Sequence, residues 1–141
     1  MGTWIVRVGV SIIVVLVVIQ FIRIDSTNPP VDSDIPTSTA VKSVLRRACY
    51  DCHSNETEWP WYSRIAPISW LLAWDVRDGR AELNFSTWNL YGTQQQLEKL
   101  KESWEVIAEG KMPPWYYLRL HPEAQLSAAE RVLLRQWATP P

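Results

Sequence analysis

Cys49-Tyr50-Asp51-Cys52-His53 contains both cysteines of the chain and one of its two histidines. The pattern C-x-x-C-H is the attachment signature of a c-type haem. Each thiol can add to one of two vinyl groups on one edge of a porphyrin, and two intervening residues let both sulfurs reach that edge. His53 then lies under the iron and offers a neutral imidazole nitrogen as proximal ligand. On this reading Cys49, Cys52 and His53 hold one covalently bound haem c. Other chemistries use similar spacing. A thioredoxin-like redox pair belongs beside a βαβ pattern, which this sequence lacks. A zinc site needs about four ligands, and beyond these three only His121 and carboxylates are on offer. A local disulfide leaves His53 without a role, and a disulfide framework needs more cysteines.

The sixth position has two candidates. Met112 is the only internal methionine. Its thioether is a soft ligand that suits haem iron and raises its potential, and Pro113 and Pro114 stiffen the loop that carries it. His121, nine residues later beside Pro122, is the alternative. Met112 is preferred because Met/His ligation is common in electron-transfer haems. The stretch Glu58-Trp59-Pro60-Trp61-Tyr62-Ser63-Arg64 directly follows His53. Arg64 and an indole or phenol from Trp59, Trp61 or Tyr62 are therefore expected at the propionates.

The elements that must position these residues read as helices. Ala40, Val41, Val44, Leu45 and Ala48 recur at helical spacing from Ser38 into Cys49. A second helix is expected from Pro67, with Ile68, Leu71, Leu72 and Val76 on its apolar face and Gly79 as its stop. Residues 83–91 are ambiguous, with a short helix expected after Ser86. Thr93 with Gln96 reads as a capping box for a third helix carrying Leu97, Leu100, Trp104 and Ile107 and ended by Gly110. Met112 lies in the loop that follows. Ser127 with Glu130 caps a final helix through Val132, Leu133 and Trp137 to Pro140. No segment alternates as a strand. The expected fold is all-α, a helical domain over residues 38–141. Eight tryptophans lie in this part, and most are expected to fill the core.

Ahead of it, Val8 to Ile22 is nearly unbroken apolar sequence bracketed by Arg7 and Arg23. Counted from Trp4 to Ile24 it reaches the ~20 residues of a membrane span, and a lone segment in lipid must be a helix. A cleaved signal peptide would show small residues at its exit, whereas this chain reads Arg23-Ile24-Asp25-Ser26-Thr27. Residues 1–24 are therefore expected to be an uncleaved transmembrane anchor. Residues 25–37, with three prolines, are expected to be an extended linker lifting the domain off the membrane. In bacteria c-type haem is attached outside the cytoplasmic membrane, so a single-pass protein with a periplasmic domain is expected. Beyond residue 24 the chain has 12 basic and 15 acidic residues, interspersed. It lacks the clustered basic surface that nucleic acid requires.

Together these residues resemble the haem-binding domain family of short monohaem proteins. The likeness runs through Cys49 to Thr57, Trp59-Pro60-Trp61-Tyr62, Pro67-Ile68-Ser69-Trp70, Gly79-Arg80, Leu83-Asn84-Phe85-Ser86, Met112-Pro113-Pro114, Tyr117, His121-Pro122-Glu123-Ala124 and Leu126-Ser127. It covers about residues 40 to 138. The resemblance implies a c-type haem and an exported, often membrane-anchored protein with a helical fold similar to small c-type cytochromes. Similar proteins often carry a histidine where this chain has Trp74-Asp75, so no role for such a histidine transfers. An electron carrier working with a redox partner protein or membrane complex, and no small-molecule substrate, is the expected function. The alternative is a gas sensor or peroxidase-like enzyme, which would need a labile sixth ligand and a distal acid or base drawn from His121, Asp51 or Asp75.

Overall fold

The computed structural model of the chain describes residues 2–139. Its first helix, α1 (Gly2–Ile19), is predominantly apolar, with Arg7 its one charged residue, and is buried nowhere against the rest of the chain. At 1.5 Å per residue its 18 residues extend about 27 Å, close to the ~30 Å hydrocarbon core of a bilayer. It is a candidate membrane span. The helix stops at Ile19, short of the expected Ile24, and Gln20, Phe21 and Ile22 continue as turns bonded three residues back.

The domain is built from six further helices: α2 (Thr39–Ala48), α3 (Tyr50–His53), α4 (Ile68–Glu82), α5 (Thr93–Ala108), α6 (Trp115–Leu120) and α7 (Ala128–Ala138). Among the described residues there is no sheet, only a single bridge between Ser33 and Thr87. The all-α expectation holds. Ser38 caps α2 by accepting the Val41 N–H, and Ser127 and Glu130 form the expected reciprocal box at α7. Val41, Val44, Leu45 and Ala48 face inward from α2 onto Tyr50, Phe85 and Leu134, all buried. Tyr50 stacks on Phe85 with ring centroids 5.2 Å apart. α3 packs on α4, and α5 packs on α7.

Residues 25–37 are extended and lie along the domain. Asn55 Nδ2 donates to Pro30 O at 2.7 Å, and the Asp32 and Ser33 amides both donate to Ser86 O. Ile35 is only 3% exposed, within the core. This strap closes with Asp34, which accepts from the Tyr50 hydroxyl and pairs with Lys42 at 2.7 Å.

Several expectations need correction. Gly79 does not end α4, which runs three residues further, to Glu82. Its lack of a side chain serves a close approach to α3 instead. Thr93 and Gln96 form no capping box. Gly92 is the cap, and the Gln96 amide donates backwards to Trp88 O and Tyr91 O. The segment after Met112 is not simply a loop, because α6 follows at once. Six residues are too few to show a helical period. Tryptophan fills the core only in part, since Trp104 and Trp137 pack against it half-buried. Trp88 is buried, but Trp61, Trp74 and Trp115 are more than half exposed. Pro140, expected to end the last helix, lies outside the described residues.

Candidate functional site

Cys49 is at once the C-cap of α2 and the N-cap of α3, and the His53 N–H bonds to Cys49 O at 2.9 Å. This single turn places residues 49, 52 and 53 at positions i, i+3 and i+4, which share one helical face. Both thiols are free, and both are half-buried. Burial pushes each of them up to about 12, and for Cys52 the nearby Asp75 and Asp51 carboxylates push the same way. They are held as protonated thiols, the opposite of the activated thiolate of a redox pair.

His53 is anchored by α4. Its Nδ1 lies 2.9 Å from Gly79 O and 3.1 Å from Leu83 O. Both partners are carbonyls, so Nδ1 must carry the hydrogen and Nε2 keeps its lone pair. Burial lowers the affinity of this ring for a second proton, against the two carbonyls, which raise it. The approach behind this bond is tight. A Cβ at position 79 would lie 2.5 Å from Cys52 O, and only glycine permits it. Neither Leu83 nor Gly79 contributes through a side chain, so sequence chemistry could not name them as partners of His53.

Cys49, Cys52 and His53 line a cavity of about 800 Å³, and Met112 lines it as well. Leu45, Leu71, Leu72, Phe85, Ile107 and Trp137 contribute to walls that are mainly apolar. Met112 arrives there by a helix stop. Gly110 has φ +72°, the Gly110 N–H bonds Ile107 O and the Lys111 N–H bonds Val106 O, a Schellman ending for α5. The Met112 N–H then also bonds Val106 O at 3.2 Å.

His121 is elsewhere. It lines a separate polar groove with Trp59 and Glu123. Its Nε2 lies 2.5 Å from the Tyr62 hydroxyl, its Nδ1 lies 3.1 Å from Glu123, and its ring stacks on Tyr117 at 4.3 Å. Asp51 and Tyr117, bonded at 2.7 Å, line both spaces and so belong to the wall between them. Of the stretch expected at the propionates, Tyr62 alone reaches the main cavity. Trp61 and Arg64 are exposed at the surface, and Trp59 faces the groove. Lys99 is the cation on the cavity wall. Asp75, on α4, also lines it. Burial raises its carboxyl above the ordinary value, against a hydrogen bond from Tyr116. Asp51 and Asp75 thus border the cavity and His121 does not.

These residues fit a haem. Two thiols on one helical turn, an imidazole with a fixed tautomer and a thioether all border one mainly apolar space large enough for a flat organic cofactor. Among the described residues no three His, Cys, Asp or Glu side chains cluster as ligands for a bare metal ion. No curated protein and no solved structure matches the chain. The family model of the haem-binding domain matches residues 14–140, nearly the whole chain. The chain belongs to the haem-binding domain family.

Proposed function

We propose that this haem protein is a membrane-anchored monohaem c-type cytochrome that carries electrons. One haem is attached through Cys49 and Cys52 and ligated by His53 and Met112. The observation that carries this reading is the convergence of those four residues on one cavity, while both nitrogens of His121 are engaged outside it. When bound, haem supplies a one-electron couple at its iron. The chain's residues set the conditions for that couple. His53 presents Nε2 because α4 holds Nδ1. Met112 offers a soft sulfur on a loop restrained by its own amide bond and by two prolines. The apolar walls keep water from the iron, and Met/His ligation raises its potential. With α1 across the cytoplasmic membrane and the domain on its periplasmic side, the protein would serve a redox partner or a membrane complex.

Ligand substitution tests this. Met112→Ala should open the sixth position, lower the midpoint potential and let carbon monoxide bind the reduced protein. The oxidised wild type should show the weak far-red band of thioether-to-ferric charge transfer, and the variant should lose it. His121→Ala should leave the band in place. The opposite pattern would make the haem bis-histidine. Ready carbon monoxide binding by the wild type would favour the gas sensor or peroxidase reading instead. Cys49→Ser with Cys52→Ser should abolish haem that survives a denaturing gel.

A further inference from the structure

The end of α1 is fastened to the domain. Gln20 Nε2 donates to Ala66 O at 3.0 Å, and the Ala66 N–H returns a bond to Gln20 Oε1 at 3.0 Å. The loop around Ala66 therefore sits at the height where the span leaves the lipid. Its exposed side chains suit that level. Trp61 is 77% exposed and Ile65 41% exposed, and tryptophan prefers the headgroup region. Arg64 stands between them, exposed, with no ion-pair partner among the described residues. Arg23 follows the span and is equally exposed. The cavity rim continues the same gradient. Its border along α4 runs from apolar Ile68 and Leu71 beside this loop to Asp78 and Glu82 at the far end.

We infer that the domain lies down on the bilayer, with Trp61, Ile65 and Arg64 in the headgroup layer and the apolar end of the cavity rim turned towards the lipid. The partner for this surface is an anionic lipid bilayer. The inference rests on α1 being a membrane span. Apolar side chains enter the interface, and the arginines meet lipid phosphates. The reciprocal Gln20–Ala66 pair restrains the domain from lifting away.

Nitroxide labels on the full-length haem protein test this in vesicles of phosphatidylcholine and phosphatidylglycerol. Labels are placed through Val14→Cys, Trp61→Cys, Ile65→Cys and Glu102→Cys, each with haem content checked by absorbance. Collision with oxygen, which concentrates in lipid, is compared with collision with an aqueous nickel chelate. Labels at 14, 61 and 65 should favour oxygen, and the label at 102 should favour nickel. Adding Gln20→Ala should shift the labels at 61 and 65 towards nickel. If 61 and 65 match 102 while 14 still favours oxygen, the span stands and the docked domain is wrong. If 14 also favours nickel, the anchor reading fails and the docked domain with it.

Discussion

A methyl group at position 79 would land 2.5 Å from the carbonyl oxygen of Cys52 and 3.1 Å from its Cβ. Neither neighbour can swing aside, because both belong to the turn that carries the candidate haem residues. Gly79→Ala is therefore expected to cost about 1–3 kcal/mol through overpacking. For a domain of about 100 residues, each kcal/mol lowers the melting temperature by roughly 4–8 °C. The variant should also disturb His53, since the same residue supplies one of its two carbonyl partners. Thermal unfolding followed by circular dichroism, with the visible spectrum recorded alongside, checks both effects. An unchanged melting curve would mean that α4 can retreat from α3 without cost. A sequence cannot announce such a glycine. Near the end of an apolar helical stripe it looks like a stop, and only the partner helix reveals that it is a point of contact. The C-x-x-C-H turn and Met112 were legible as candidates because the chemistry proposed for them lies in their side chains. The partners of His53 were not, because they are backbone atoms brought in by folding.

Helices with three to five apolar positions at regular spacing could be read directly: α2, α4, α5 and α7 lie where their stripes fall. Caps were legible where a side chain closes on its own helix, as at Ser38 and Ser127, and not where Gln96 turned to a neighbouring turn instead. The strap of residues 27–35 was opaque for a different reason. Extended chain has no period, and its bonds reach residues from Lys42 to Asn89 that no local pattern links to it. Its closing contact is sensitive to acid. Asp34 is partly buried, which would raise its carboxyl, but hydrogen bonds from Lys42 and Tyr50, the Lys42 charge and the Ile35 N–H together hold it below its ordinary value. A depressed folded value means the contribution is complete above the unfolded value and is lost as pH falls through the folded one. Solvent reaches this pair, so the effect is about 1 kcal/mol or less. Thermal melts from pH 6 down to pH 2 should show a component that Asp34→Asn removes. Equal acid slopes in the two proteins would place the acid sensitivity elsewhere.

The strap also decides where the molecule can be cut. A chain starting at Asp25 behind a cleavable signal keeps Ile35 and every bond of residues 27–35. One starting at Ser38 uncovers the site Ile35 fills, a loss of about 2 kcal/mol for one large apolar side chain, and gives up the Asn55 and Ser86 contacts as well. The longer form should fold and hold haem. The shorter should melt more than 10 °C lower by roughly the same conversion, or fail to accumulate, and equal melting points would show the strap to be passive. The same feature sets how such a protein would meet other molecules. Gln20 is bonded to Ala66, and Asn28 is already bonded to Thr57 and Arg80. Only the few residues between them are left as free chain, too short to serve as a swinging arm. On the proposed membrane-anchored reading, α1 and the haem-binding domain travel as one body. For an electron carrier this makes each encounter a meeting of two lateral diffusers in the plane of the membrane, paced by the viscosity of the lipid rather than by the reach of a tether.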